Sequence, residues 1–248
     1  MKARFLLCVA LGSSLMLGCS LLPSLSDILP GEALTGSGNV VTREFDLSGF
    51  DQVEVTNAFE VEIRQGDAFS VIVRVDDNVE QYLDVVQQAS TLRIGLKPIS
   101  SGTVSATTLE AEVTMPALTG LELSGASDVS VADFKCTVPL YVEVSGGSSL
   151  RGDIEAGGLR FDFSGASEVK LSGSGEDLVM DVSGASSADL ADFPVADADI
   201  EVSGASSATV NVSGQLDLEV SGASRVRYRG NPTLGSVDAS GGSSIEAW

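Results

Sequence analysis

The 248-residue chain contains no histidine. That absence excludes Ser-His-Asp hydrolysis, histidine-dependent acyl transfer and a histidine-ligated zinc centre. Cysteine is scarce: Cys8 and Cys19 lie near the amino terminus, and only Cys136 stands in the body of the chain. A single thiol makes no internal disulfide, so packing must hold the fold. Basic residues are few, 14 against 35 acids for a net charge of −21. Such an excess argues against nucleic acid as a partner and against electrostatic attraction to anionic lipid. No apolar run is long enough for an ordinary transmembrane helix. Gly173-Ser174-Gly175-Glu176 lacks the lysine of a nucleotide-binding loop.

What is present begins with a leader. Met1-Lys2-Ala3-Arg4 is a charged start, followed by an apolar run over 5–17, the pattern of an export signal. Leu15-Met16-Leu17-Gly18-Cys19 resembles a bacterial lipobox, with Met16 where Leu is usual and Leu17 where Ala or Ser is commoner. Residues 1–18 are therefore expected to be a lipoprotein signal peptide. Cys19 is expected to carry the lipid, and Ser20 resembles an outer-membrane sorting residue. The Pro-, Gly- and Leu-containing stretch 19–35 reads as a tether. Loss of Lys2 and Arg4 leaves 12 basic residues against 35 acids, a net charge of −23.

The second half is dominated by repetition. Ser-Gly-Ala-Ser or Ser-Gly-Gly-Ser begins at Ser124, Ser145, Ser164, Ser183, Ser203, Ser221 and Ser240, at steps of 18 to 21 residues. One residue before each serine stand Leu123, Val144, Phe163, Val182, Val202, Val220 and Ala239. Three before stand Leu121, Val142, Phe161, Met180, Ile200, Leu218 and Val237. The position between is always an acid: Glu122, Glu143, Asp162, Asp181, Glu201, Glu219 and Asp238. Apolar-acid-apolar is the period-2 pattern of a strand with one face inward. Glycine then turns the corner, and a second strand follows, with Val129, Leu150, Val169, Ala188, Ala208, Val226 and Ile245 inward.

One such unit cannot bury its apolar face; stacked units can. The fold expected is all-β, a right-handed parallel β-helix or solenoid with coils of about 20 residues. The regular solenoid covers 121–248. Residues 36–120 form an irregular β region with strand patterns at 53–55, 59–63, 70–75, 91–96 and 110–115. The stretch 79–88 alone has weak helical character.

In a stacked column the seven acids form one row with neighbours about 4.8 Å apart. Each like-charged pair then repels by about 1 kcal/mol in water. Solvent, raised pKa values, bound cations, or basic neighbours such as Arg151, Lys170 and Arg227 must offset this. The row is the candidate site for a cation, weak Ca²⁺ included, or for a basic partner; the alternative is a solvated strand face. The second serines, Ser127, Ser148, Ser167, Ser186, Ser206, Ser224 and Ser243, form a further row suited to structural hydroxyl bonding. Trp248 is placed to cover the end of the column, whose open edge is otherwise a liability. No cofactor is implied.

Several motifs occur in the order of a known family. They are Gly36-Ser37-Gly38-Asn39-Val40, Phe50-Asp51-Gln52-Val53-Glu54-Val55, Asp76-Asp77-Asn78, Thr91-Leu92-Arg93-Ile94, and Met115-Pro116-Ala117-Leu118-Thr119-Gly120 running into Leu121-Glu122-Leu123. Together they resemble the bacterial auto-transporter adhesin, head GIN domain family, over 36–248. The Gly-Ile-Asn triplet of that name does not occur here. The resemblance implies a β-helical cell-envelope lipoprotein, anchored to the membrane by its amino-terminal lipid, with no catalytic motif to carry over, and with a glycan or protein as the expected ligand. A structural or assembly component of the envelope is the alternative, and a carbohydrate-active enzyme built on clustered carboxylates a third. An outer-membrane location is expected, with the periplasmic or the surface face left open.

Overall fold

The computed structural model describes residues 34–99, 104–105, 108–136 and 138–248; the expected leader, Cys19 and most of the expected tether lie outside them. The expected parallel β-solenoid is what forms. Apolar residues alternating with polar ones make short strands, and a corner after each sends the chain into a second sheet. The first sheet has ten strands and the second eleven, joined along a shared interior.

In the regular part the first sheet stacks Gly120–Leu123, Leu140–Val144, Leu159–Phe163, Asp177–Val182, Asp197–Val202, Gln215–Val220 and Thr233–Ala239, all parallel. The second stacks Asp128–Cys136, Ser149–Ala156, Glu168–Ser174, Ser187–Val195, Ser207–Val212, Arg225–Arg229 and Ser244–Ala247. Register repeats from coil to coil, so each inward residue rests on its counterpart: Leu121, Val142, Phe161, Met180, Ile200 and Leu218 form one buried column. Cys136 is partly buried, and burial pushes its thiol up to about 11. It is therefore a thiol, not a thiolate, near neutral pH.

The early region belongs to the same sheets, in a different order. Gln52–Val55 and Glu60–Gln65 form a coil that pairs with Gly120–Leu123 and Asp128–Cys136 on one side. On its other side it pairs with Thr91–Leu96 and Leu109–Met115, which come later in the chain. Antiparallel strands Leu83–Gln88, Ser70–Asp76 and Val40–Phe45 close this end. The buried Asp76 carboxylate accepts the Gly38 and Thr108 amides at 2.9 and 2.8 Å, tying two segments to the cap. The helical character read over 79–88 yields a single 3₁₀ turn, Glu80–Tyr82, followed by the strand Leu83–Gln88. Pairing of that strand with Thr91–Leu96 overrides the weak local propensity.

The opposite end is not closed in this way. In the last described coil Leu234 and Val237 are 47% and 39% exposed. Trp248 does not cover them. Its amide donates to the Tyr228 carbonyl at 3.1 Å, and its ring lies 5.6 Å from the Arg229 guanidinium. The expectation of a tryptophan lid is thus corrected: cation–π attraction holds the ring against the second sheet's own coils.

Each repeat's corner needs its first glycine twice over. Gly204 has φ +79°, and a Cβ there would lie 2.4 Å from the Gly184 carbonyl oxygen of the preceding coil. The same approach lets the Ala205 amide donate to Gly184 at 2.8 Å. Gly204→Ala is therefore expected to destabilise the column by about 1–3 kcal/mol, measured by chemical denaturation, whereas Ser207→Ala on the exposed neighbouring strand changes little.

Candidate functional site

The seven acids are brought together as one row. Glu122 lies opposite Glu143, then Asp162, Asp181, Glu201, Glu219 and Asp238 follow, each in register with the next. The row is longer than the repeat suggests. Glu54 stands opposite Glu122 as an eighth member, and beyond it Arg93 ends the row with an ion pair to Glu54 at 3.1 Å. Val53-Glu54-Val55 carries the same apolar-acid-apolar triplet, but Thr56-Asn57-Ala58-Phe59 replaces the tetrapeptide after it. Asn57 and Ala58 adopt the positive φ values, 63° and 60°, that Gly125 and Ala126 adopt one coil on. Phe59, fully buried, takes the place of the inward serine.

The basic residues proposed to relieve this row are on the wrong sheet. Arg151, Lys170 and Arg227 pair on the second sheet with Asp128, Asp189 and Glu246 at 3.1, 3.4 and 3.7 Å. They follow the corner, and the corner reverses which flank of the column a side chain reaches. Strands of the first sheet carry thirteen acids and two bases, Arg93 and Arg160; those of the second carry fourteen acids and nine bases. Charge is thus segregated by face. A neighbouring outward row, Gln52, Gly120, Tyr141, Arg160, Val179, Asp199 and Asp217, adds two more acids beside Glu201 and Glu219.

The electrostatic consequence is visible in the row itself. Partial burial, then Glu143 and Glu54, raise the Glu122 carboxyl above its ordinary value. Partial burial and Asp162 raise Asp181, while Arg160 pulls the other way. The Tyr141 hydroxyl donates to Glu143 at 3.2 Å, and burial followed by the Glu143 charge raises its pKa. Among the described residues no group of three or more His, Cys, Asp and Glu side chains is gathered to hold a metal ion. The carboxylates run in a line rather than closing into a cage, unlike the many-sided oxygen shell Ca²⁺ takes.

The second serines lie inside the column. Ser127, Ser148, Ser167, Ser186, Ser206 and Ser224 are buried. The Ser127 hydroxyl donates to the Ser124 carbonyl at 2.8 Å, and the Ser127 amide donates to the Ser148 hydroxyl at 3.2 Å. The pattern repeats at Ser167 and Ser186. These hydroxyls satisfy backbone groups at the corner and face no ligand.

Residues 49–232 match the family described as "Putative auto-transporter adhesin, head GIN domain". The chain belongs to this family. Its fold matches a solved "putative adhesin" from Bacteroides fragilis NCTC 9343 with TM-score 0.80 and 19% identity, over 87% of this chain and 100% of that one. It also matches a "putative lipid binding protein" from Parabacteroides distasonis ATCC 8503, with TM-score 0.68 and 21% identity over 88% and 100%. A "putative adhesin" from Parabacteroides merdae ATCC 43184 follows, with TM-score 0.64 and 16% identity over 88% and 100%. At these identities the likeness is one of fold. A comparison with curated proteins found no match. An adhesin-like family of this kind is one of the cell envelope or surface.

A carboxyl with a raised folded-state pKa contributes to stability below its unfolded value, and that contribution is lost as pH rises through the folded value. For Glu122 and Asp181 the window opens at their ordinary values, 4.5 and 3.8, and extends above them. Glu122→Gln is therefore expected to raise the melting temperature near neutral pH and to lose that advantage below about pH 4. Added salt narrows the difference by screening the row. Thermal melts across pH and salt check both; a variant no more stable near neutral pH defeats the account.

Proposed function

We propose that this chain is a non-catalytic adhesion module of the cell envelope, lipid-anchored through Cys19 at the outer membrane, with the acidic first sheet as its contact face. One observation carries the reading: eight in-register carboxylates lie on one flank with only Arg93 and Arg160 among them, while the second sheet's bases are largely engaged by its own acids. A surface of one sign attracts a partner of the other and steers its approach. The partner that fits is a basic protein surface or polycation, with Ca²⁺ a weak competitor along the line. The family and the fold likeness support a binding role. The lipobox supports the anchor, and the tether holds the acidic column off an anionic bilayer.

Two measurements test it. Metabolic labelling with a clickable fatty acid is expected to mark the wild type and not Cys19→Ser; an unlabelled wild type sinks the anchor. Retention of the soluble domain on a polylysine surface is expected to fall at least about tenfold when Glu143→Gln, Asp162→Asn, Asp181→Asn and Glu201→Gln are combined. Neutralising four acids of the second sheet, Glu60, Glu62, Glu110 and Glu168, has less effect. Equal losses from both sets would reduce the face to net charge alone.

The assembly reading is favoured by one observation, the exposed Leu234 and Val237 of the last described coil. Light scattering decides it: end-to-end association predicts a dimer whose population falls in Leu234→Ser, and a monomer at all concentrations removes it.

A further inference from the structure

We propose that the notch beside Trp248 on the second sheet is a saccharide-binding site, separate from the acidic face. The notch has a volume of about 240 Å³ and is lined by Asp189, Ala191, Thr209, Arg227 and Trp248. Asp189, Thr209 and Arg227 are consecutive members of one outward row, since each lies opposite the next in neighbouring coils. Trp248 is laid beside that row and is 61% exposed.

An exposed indole costs hydrophobic stabilisation unless something covers it. Here the ring is held in place rather than buried. Its amide is fixed to the Tyr228 carbonyl, and the Arg229 guanidinium sits 5.6 Å from the ring centre. Arg229 is held in turn by the Asp192 carboxylate at 3.1 Å and by the Ala191 carbonyl. Arg229 is not among the residues lining the notch. A pre-set aromatic wall loses little freedom when a ligand stacks on it.

The polar wall is paired along its own row but open to solvent. Asp189 and Lys170 are 3.4 Å apart and Arg227 and Glu246 3.7 Å apart, beyond ordinary charge-assisted hydrogen-bond length. Asp189 Oδ1 accepts the Ala191 amide at 3.2 Å and Oδ2 lies 3.4 Å from the Lys170 ammonium, and each carboxylate oxygen keeps a lone pair for a ligand hydroxyl. The notch therefore offers an aromatic face together with a carboxylate, a guanidinium and a hydroxyl. A pyranose ring has the matching chemistry: a face of C–H groups that packs on an indole, and a rim of hydroxyls that both donate and accept. The volume lies below the range of drug-sized sites and suits about one sugar ring. A cationic ligand would meet Arg227, and a wholly apolar one would strand the Asp189 carboxylate.

Trp248 is the only tryptophan in the chain, so its emission reports on this notch alone. The full mature chain is titrated with soluble saccharides: a neutral hexose disaccharide, an N-acetylhexosamine disaccharide and a uronate-containing oligosaccharide. At least one is expected to change Trp248 emission saturably and to protect it from acrylamide quenching. By calorimetry, affinity for that sugar is expected to fall at least about tenfold in Trp248→Ala and to survive largely in Trp248→Phe. Thr209→Val, which keeps the shape and removes the hydroxyl, is expected to weaken it further than Trp248→Phe does. No saturable change with any of the three at about 10 mM overturns the proposal. So does sugar binding that persists undiminished in Trp248→Ala. Neither result bears on the acidic face, whose probe is a polycation.

Discussion

In-register parallel stacking is the constraint on which the rest of this structure depends. Backbone groups of each coil are satisfied by the coils before and after it, and register repeats from coil to coil, so every position meets its own kind. Inward, this is favourable: apolar side chains rest on apolar side chains, and each buried serine hydroxyl finds a backbone partner in a fixed place. Outward, it is costly wherever the repeated residue is charged, and the acid row is that cost made visible. The two results are inseparable, because one register produces both.

The corner decides how charge is distributed. Residues before the glycine face out from the first sheet, and residues after it from the second. Because each position is repeated seven times, a single choice of residue type before the corner colours a whole flank. The second sheet mixes signs and so pairs them locally, with Arg151–Asp128 and Lys170–Asp189 bridging adjacent coils. Such exposed pairs contribute little stability each; their larger effect is to leave the first sheet as the flank with unbalanced charge.

Much of the solenoid was legible in the sequence because its determinants are local and repeated. The alternation around Glu143 or Glu201 fixes a strand and its inward face, and the glycine fixes the turn. What escaped was whatever the repeat did not mark. The coil at Gln52–Val55 and Glu60–Gln65 keeps the corner geometry with Asn57 and Ala58, so a search keyed to glycine and serine passes over it, and Glu54 with it. Arg93 joins the row through a pairing between strands separated by a long excursion of chain, which no local pattern encodes. Arg151, Lys170 and Arg227 lie near the acids in sequence but across the corner in space. Trp248 went to its own strand's flank because a guanidinium held in position by Asp192 outcompetes the open end for the ring.

The order of the first coils has a mechanical meaning. The coil Gln52–Val55 and Glu60–Gln65 is laid down early in the chain yet lies between two coils contributed by later segments. A ribbon wound in simple sequence would unspool from its pulled end, one turn at a time, each turn freeing the next. Here tension applied from residue 34 meets the pairing of Leu34–Thr35 with Val104–Ser105, then the antiparallel strand Val40–Phe45, and behind them a turn gripped on both sides. Drawing that turn out requires breaking two ladders together in each sheet. The amino-terminal end of the column therefore behaves as a clasp, and load entering at residue 34 is shared between neighbouring coils.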